Sequence, residues 1–409
     1  MDKKKTNIKR QGKKMKTEYK VAIIGGGTAG ITAAAQLAKK IFPGEIVIID
    51  PADVHYYQPI WTLVGAGLVK KEDSVRQEKN LIPRGVSHVQ EAVKAIDPDG
   101  MTVTTESETK IKYQYLIVCP GLQLNWNKVK GLEEAIGKDG VVSNYAYEYV
   151  DKTWEALRNF KGGNAIFTHP NTPIKCGGAP QKIMYLAEEF IDMNNLKDNT
   201  NVMFYSADPS IFGVEKYKKL LERIVEERGI QTHFRRNLIE IRGGEKEAVF
   251  ENLETGETET VPYEMIHVTP PMGPHDFMIG SPVSDETGWV DVDPYTLQHK
   301  TYSTVFGLGD AANLPTSKTG AAIRKEVPVA VSNILSLMKG EEMKAKYDGY
   351  TSCPIITGKG KLILAEFDYE KQPKETFPFD QAKERYSMYL LKKELLPRFY
   401  WHGMLKGRM

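Results

Sequence analysis

The sequence predicts an α/β chain with two Rossmann-like dinucleotide-binding units, the first split in sequence, and a C-terminal segment that faces a membrane. Three observations carry this. A β-rich run, Lys20 to Ile24, leads through Gly25-Gly26-Gly27-Thr28-Ala29-Gly30 into an Ala/Leu-rich helical stretch ending near Lys40. Glu45 to Asp50 (EIVIID) then reads as a second, buried strand. Far downstream, Thr304 to Phe306 is another strand, running into Gly307-Leu308-Gly309-Asp310. Between them lie strand candidates at Asn164–Thr168, Val202–Tyr205 and Met265–Val268, with helical periodicity at Pro180–Met193 and Val214–Glu227. Strands alternating with helices describe doubly wound parallel sheets.

The expected division is a basic, disordered leader over 1–19 and a first unit over 20–125 and 291–330. A second unit covers 126–290, and a C-terminal domain covers 331–409. Residues 1–20 hold nine Lys or Arg against Asp2 and Glu18, a local +7, so the rest of the chain carries −5 of a formal +2. Such a run is a solvated leader or a stretch drawn to anionic headgroups. No apolar stretch follows it, so no secretory signal is expected, and no window offers the ~18 apolar residues of a membrane span. Cys119, Cys176 and Cys353 are three in number and far apart, which fits a reducing compartment. No metal-ligand spacing appears among them, and no nucleic-acid partner is expected.

Gly25, Gly27 and Gly30 have the GxGxxG spacing directly between a strand and a helix. Asp50 follows 20 residues after Gly30, at the end of the next strand. Glycines let backbone N–H groups approach a pyrophosphate at the helix N-terminus, and the carboxylate accepts from a ribose hydroxyl. Thr28 and Ala29 complete that turn. The Val305–Asp310 segment resembles the late flavin motif of the two-dinucleotide-binding-domain flavoproteins, which implies FAD, with Asp310 on the ribityl chain. Tyr115–Val118 is a further strand, and Cys119 at its end looks structural. The strand Asn164–Thr168 should open a second nucleotide turn, yet it meets Pro170 and Pro173 and no glycine before Gly177. Proline lacks the N–H donor such a turn needs, so a nicotinamide is not the expected electron donor.

Cys176 stands beside Lys175 in a Pro/Gly-rich turn before a helix, where a cation and a helix N-terminus lower a thiol pKa. Cys353 lies in Tyr350-Thr351-Ser352-Cys353-Pro354, and residue chemistry alone leaves two unrelated cysteines equally open. The stretches Asn171-Thr172-Pro173-Ile174-Lys175-Cys176, Ala179–Leu186, Val268–Met272, Asn313–Thr319, Tyr347–Pro354 and Leu364–Tyr369 resemble the sulfide:quinone oxidoreductase family, closest to its animal mitochondrial branch. The resemblance runs from about 20 to 400. It implies that Cys176 and Cys353 are a redox-active pair bridged by a disulfide or trisulfide beside the flavin. It also implies FAD contacts at Gly25–Gly30, Asp50, Gln58, Val93, Gly309, Asp310 and Lys318, the last supplying positive charge to the ring.

The activity implied is oxidation of sulfide to sulfane sulfur, passed to sulfite, a thiol or sulfide, with two electrons going through FAD to a quinone. An NADH:quinone reductase-like flavoprotein and a non-catalytic persulfide carrier are the alternatives. Gly320–Val329 is more charged than the branch would have it, which bears on the quinone pocket. Gln381 to Met409 mixes Tyr, Trp, Phe, Met and Leu with Lys and Arg, as an interfacial helix does, with Pro397 splitting it into two. Packing of those apolar residues on the first unit is the other reading. The expected location is peripheral, on the cytoplasmic face of a bacterial plasma membrane or, in a eukaryote, the mitochondrial inner membrane. A homo-oligomer is left open.

Overall fold

The computed structural model describes residues 16–409. The basic leader, apart from Lys16 onward, lies outside them. Strand β1 (Glu18–Ile24) starts inside the stretch read as leader, and Lys16 pairs with Glu45 at 3.1 Å.

The first sheet has seven strands. After β1 come α1 (Thr28–Leu37), β2 (Ile46–Ile49), β3 (Val86–Val89), β4 (Val93–Asp97), β5 (Thr102–Thr105) and β6 (Lys110–Val118). Their order is β3-β2-β1-β6-β5-β4, with β12 (Val305–Gly307) also paired to β6. Strands β3, β2, β1, β6 and β12 run parallel. β2 is buried along its whole length, which is why its sequence is an unbroken Ile/Val run rather than an alternation. Because these strands are parallel, the Gly25 turn, Asp50, the Cys119-Pro120-Gly121 corner and Gly309 all emerge at one carboxyl edge.

The second sheet is five-stranded and parallel. It comprises β7 (Val141–Val142), β8 (Gly163–His169), β9 (Thr200–Ser206), β10 (Gln231–Phe234) and β11 (Met265–His267), in the order β7-β11-β8-β9-β10. Helices α2 (Ala179–Met193) and α3 (Glu215–Arg228) cover it, burying Ile183, Met184, Leu221 and Ile224. Helix α4 (Gly320–Met338) runs unbroken across position 331. The hairpin β13 (Thr351–Gly358) and β14 (Lys361–Phe367) then packs on α2, and Ile355, Ile363 and Ala365 join the second unit's core.

The chain ends in α5 (Tyr386–Leu390), one π-helical turn (Leu391–Leu395) and α6 (Leu396–His402), with Pro397 in the first turn of α6. The apolar residues of this segment divide between two faces, one packed on the first unit and one exposed. Met388, Tyr389, Tyr400, Trp401, Met404 and Leu405 belong to the first unit's core. Tyr386, Leu390, Leu395 and Phe399 are 63%, 38%, 43% and 46% exposed.

Candidate active site

At the first carboxyl edge the turn after β1 is forced by contact. A Cβ on Gly30 would stand 1.8 Å from the Gly25 carbonyl oxygen, and Gly25 has φ +104°. Gly27, at the N-terminus of α1, has no atom within 4 Å of its Cβ position, so the front of the turn is open. Asp50 is held by two N–H groups: Gly26 donates to its Oδ2 at 2.5 Å and Ala52 to its Oδ1 at 2.7 Å. The late motif closes on the early one, for a Cβ on Gly309 would sit 3.5 Å from Ala29 Cβ. This glycine cradle with a carboxylate at the neighbouring strand end fits a dinucleotide such as FAD.

Gln58 opens an exposed 3-10 turn, whereas Val93 packs its side chain into the core, and no described contact ties it to the Gly25 turn. Lys318 Nζ donates to the carbonyls of Asp310 (2.7 Å) and Ala312 (3.0 Å) and lies 4.1 Å from the Trp289 ring centre. Burial raises the Asp310 carboxyl, against the pull of Lys318 and Lys175. Under the Gly309 turn, burial pushes Glu326 up to about 7, while Gly309 N–H donates to its Oε2 at 2.7 Å.

The loop after β8 does not curl into a nucleotide cradle. It reaches across to the late motif of the first unit, where Cys176 N–H donates to the Lys318 carbonyl at 2.8 Å. Cys176 sits in the left-handed region, φ +57°. This brings its Sγ to 4.0 Å from that of Cys353, 177 residues away on β13. A disulfide spans ~2.05 Å, so the two are free thiols in contact. A Cβ on Gly178 would stand 2.6 Å from Cys353 Sγ, so only glycine fits there.

The cation on Cys176 is Lys182, Nζ to Sγ 3.1 Å, and not the expected Lys175. Helical side chains lean toward the helix N-terminus, which carries Lys182 back from the first turn of α2 to the thiol. Lys175 turns away, with Nζ 5.8 and 5.9 Å from the Trp61 and Tyr145 ring centres, and burial lowers it to about 8. The contact with Cys353, with Lys182 adding its charge, holds the Cys176 thiol well below its ordinary value, while Cys353 is pushed up. Lys392, on the π turn, is the second buried cation facing the pair, and burial brings it down to about 7. Sequence alone does not single out Lys182, and it places Lys392 among the headgroup-facing cations of Gln381–Met409, whereas the structure buries it. The helical offset from Gly178 was the one signal for the first, and nothing local signals the second.

A family described as pyridine nucleotide-disulphide oxidoreductase matches residues 19–157. The mitochondrial sulfide:quinone oxidoreductase of Mus musculus is 49% identical over 96% of this chain and 87% of its own length. That of Dictyostelium discoideum is 48% identical over 98% and 88%. The chain belongs to the sulfide:quinone oxidoreductase family. As a sulfide:quinone oxidoreductase it is a flavoprotein, and its cofactor is FAD. The sulfide:quinone oxidoreductase structure from Aquifex aeolicus superposes with TM-score 0.81 at 21% identity, covering 95% of this chain and 92% of that one, and shares the fold. The full-length relatives are mitochondrial by name, so they lend no support to the expected bacterial cytoplasmic face. Among the described residues no helix is long and apolar enough to cross a membrane.

Proposed function

We propose that Cys176 and Cys353 oxidise sulfide to sulfane sulfur, which passes to sulfite, a thiol or sulfide while two electrons reach a membrane quinone. The observation that carries this reading is the 4.0 Å Sγ–Sγ contact, with Lys182 on one sulfur and the Lys318–Asp310 segment hydrogen-bonded to its backbone. Bridging asks the sulfurs to close to ~2.05 Å for a disulfide, or to move less if one further sulfur intervenes. Hydrosulfide then opens the bridge: one S–S bond breaks, one forms, and the pair is left as a persulfide and a thiolate. Lys182 compensates the negative sulfur, which is the group whose charge the site favours. Bound FAD supplies the two-electron acceptor that lets the bridge re-form and relays the pair to quinone. The acceptor nucleophile removes the outer sulfur by breaking its S–S bond.

Gly25, Gly27, Thr28, Ala29, Gly30 and Asp50 would hold the adenosine and pyrophosphate half of FAD, and Gly309, Asp310 and Lys318 the other half. Gln58 and Val93 stay as proposed contacts. The exposed side of α5–α6, with Tyr386, Leu390, Leu395 and Phe399 beside Lys393 and Arg398, would dock at the headgroup level of a quinone-bearing membrane. Stepwise sulfide addition to the oxidised protein, followed by the flavin absorbance, tests the chemistry. Bleaching is expected in the wild type and lost in Cys176→Ser and Cys353→Ser, with FAD retained. Bleaching that survives in Cys353→Ser would break the pairing.

A further inference from the structure

Helix α6 faces two ways. Phe399 points out, and Tyr400, the next residue, is buried against the cofactor turn of the first unit. Tyr400 Oη lies 2.8 Å from Thr28 Oγ1 and 2.5 Å from His55 Nε2, and His55 Nδ1 lies 3.1 Å from the Gly26 carbonyl. The directions of these bonds follow from chemistry. A carbonyl only accepts, so His55 Nδ1–H donates to Gly26. In a neutral imidazole Nε2 must then accept, so the Tyr400 hydroxyl donates to it and receives the Thr28 hydroxyl in turn. Burial favours that neutral ring, lowering His55 to about 4.

The relay acts on the peptide that matters. In a trans peptide C=O and N–H point to opposite sides. Fixing the Gly26 carbonyl on His55 therefore sends the Gly27 N–H away from His55, while the Gly26 N–H is fixed on Asp50. The same C-terminal stretch also grips the other end of α1. Gly407 packs so closely that a Cβ would be 2.8 Å from the Ala35 carbonyl. Gln36 Nε2 donates to Met409 O at 2.8 Å, and Lys39 Nζ to Gly407 O. Tyr57 and Trp401 wall the Tyr400 ring, with centres 4.6 and 5.0 Å away.

We infer that the C-terminal helix is a clasp on the FAD turn, in which Tyr400 and His55 are positioning residues that set the Gly26–Gly27 peptide for the cofactor. The clasp comes from the segment proposed to meet the membrane, but its hold on FAD stands without that reading and can be measured in solution.

Tyr400→Phe removes the hub hydroxyl and keeps the ring. FAD release from the full-length holoprotein, followed by the rise in free-flavin fluorescence under dilution, should become about tenfold faster, about 1.4 kcal/mol of the hold on FAD, once the Gly26–Gly27 peptide is no longer fixed for the cofactor. The thermal midpoint of the apoprotein should stay within about 2 °C, since the ring packing is untouched. His55→Leu should accelerate release at least as much. Adding Tyr400→Phe to it should change little, because the two act in series. Phe399→Ser, on the outward face, should leave release as in the wild type. Unchanged release in Tyr400→Phe overturns the inference. So does an apoprotein destabilised in proportion to the faster release, which would make Tyr400 a packing residue. Should His55→Leu not fold, Tyr400→Phe alone decides.

Discussion

Lys182 sits six residues from Cys176 in sequence and 3.1 Å from its sulfur in space, and its charge adds to the Cys353 contact in favouring the thiolate. A thiolate is the reactive form, so the reduced protein should be alkylated at Cys176 at a lower pH than an ordinary thiol requires. Lys182→Met should move that alkylation profile to higher pH, while Cys353 stays slow. An unmoved profile would assign the low pKa to the Cys353 contact alone. Asp50→Ala removes a carboxylate held by Gly26 and Ala52 N–H, and FAD should bind about ten- to a hundredfold more weakly, as titration of the apoprotein would read. Glu326 offers a pH test with a definite sign. Its folded pKa of about 7 lies above the usual 4.5, so the folded state holds the extra proton in that window and stability falls as pH rises through it. Glu326→Gln should match the wild type's unfolding midpoint below pH 4.5 and exceed it above 7. The glycines, Asp50 and Cys176 were legible because local spacing exposes them. Lys182 and Lys392 were not, since which cation meets a thiol depends on how a helix and a distant turn dock. Adjacency in sequence pointed instead at Lys175, whose side chain prefers the Trp61 and Tyr145 faces.

Among elements, the strands and the longer helices followed their patterns to within a few residues, because β1, β2, β8 and β9 are buried parallel strands with continuous apolar runs. The C-terminal segment was harder. Its apolar residues are almost continuous, so periodicity alone could not divide them between core and surface. The π turn before Pro397 is what splits them, re-aiming the face of α6 relative to α5. Two variants separate the faces. Leu395→Ser with Phe399→Ser should keep FAD and thermal stability yet lose binding to anionic vesicles. Truncation after Glu384 removes buried Met388, Tyr389, Tyr400, Trp401, Met404 and Leu405, each costing ~2–5 kcal/mol, and should unfold the first unit. A truncated chain that keeps its FAD would show that these contacts are dispensable.

For the whole molecule, two sheets share one seam, and the loop that would cradle a second nucleotide instead crosses to the late motif of the first unit, where Cys176 N–H meets the Lys318 carbonyl. The missing glycines were visible in the sequence; the crossing of the loop to Lys318 was not, because it is a contact between units. The chain should accordingly be reduced by sulfide within a turnover and not by NADH or NADPH, which stopped-flow absorbance would show. Rapid bleaching by NADH would demand another nucleotide site. The third cysteine has a use of its own. Cys119 is 4% exposed behind the Gly25 turn, and burial raises its thiol far out of reach of ordinary reagents. A thiol count on the native protein is therefore silent on Cys119. Cys353, 2% exposed and likewise pushed up, is equally hidden, so the native count reads Cys176 alone, and a bridge to Cys353 shows as one thiol rather than three when the same sample is counted again after denaturation.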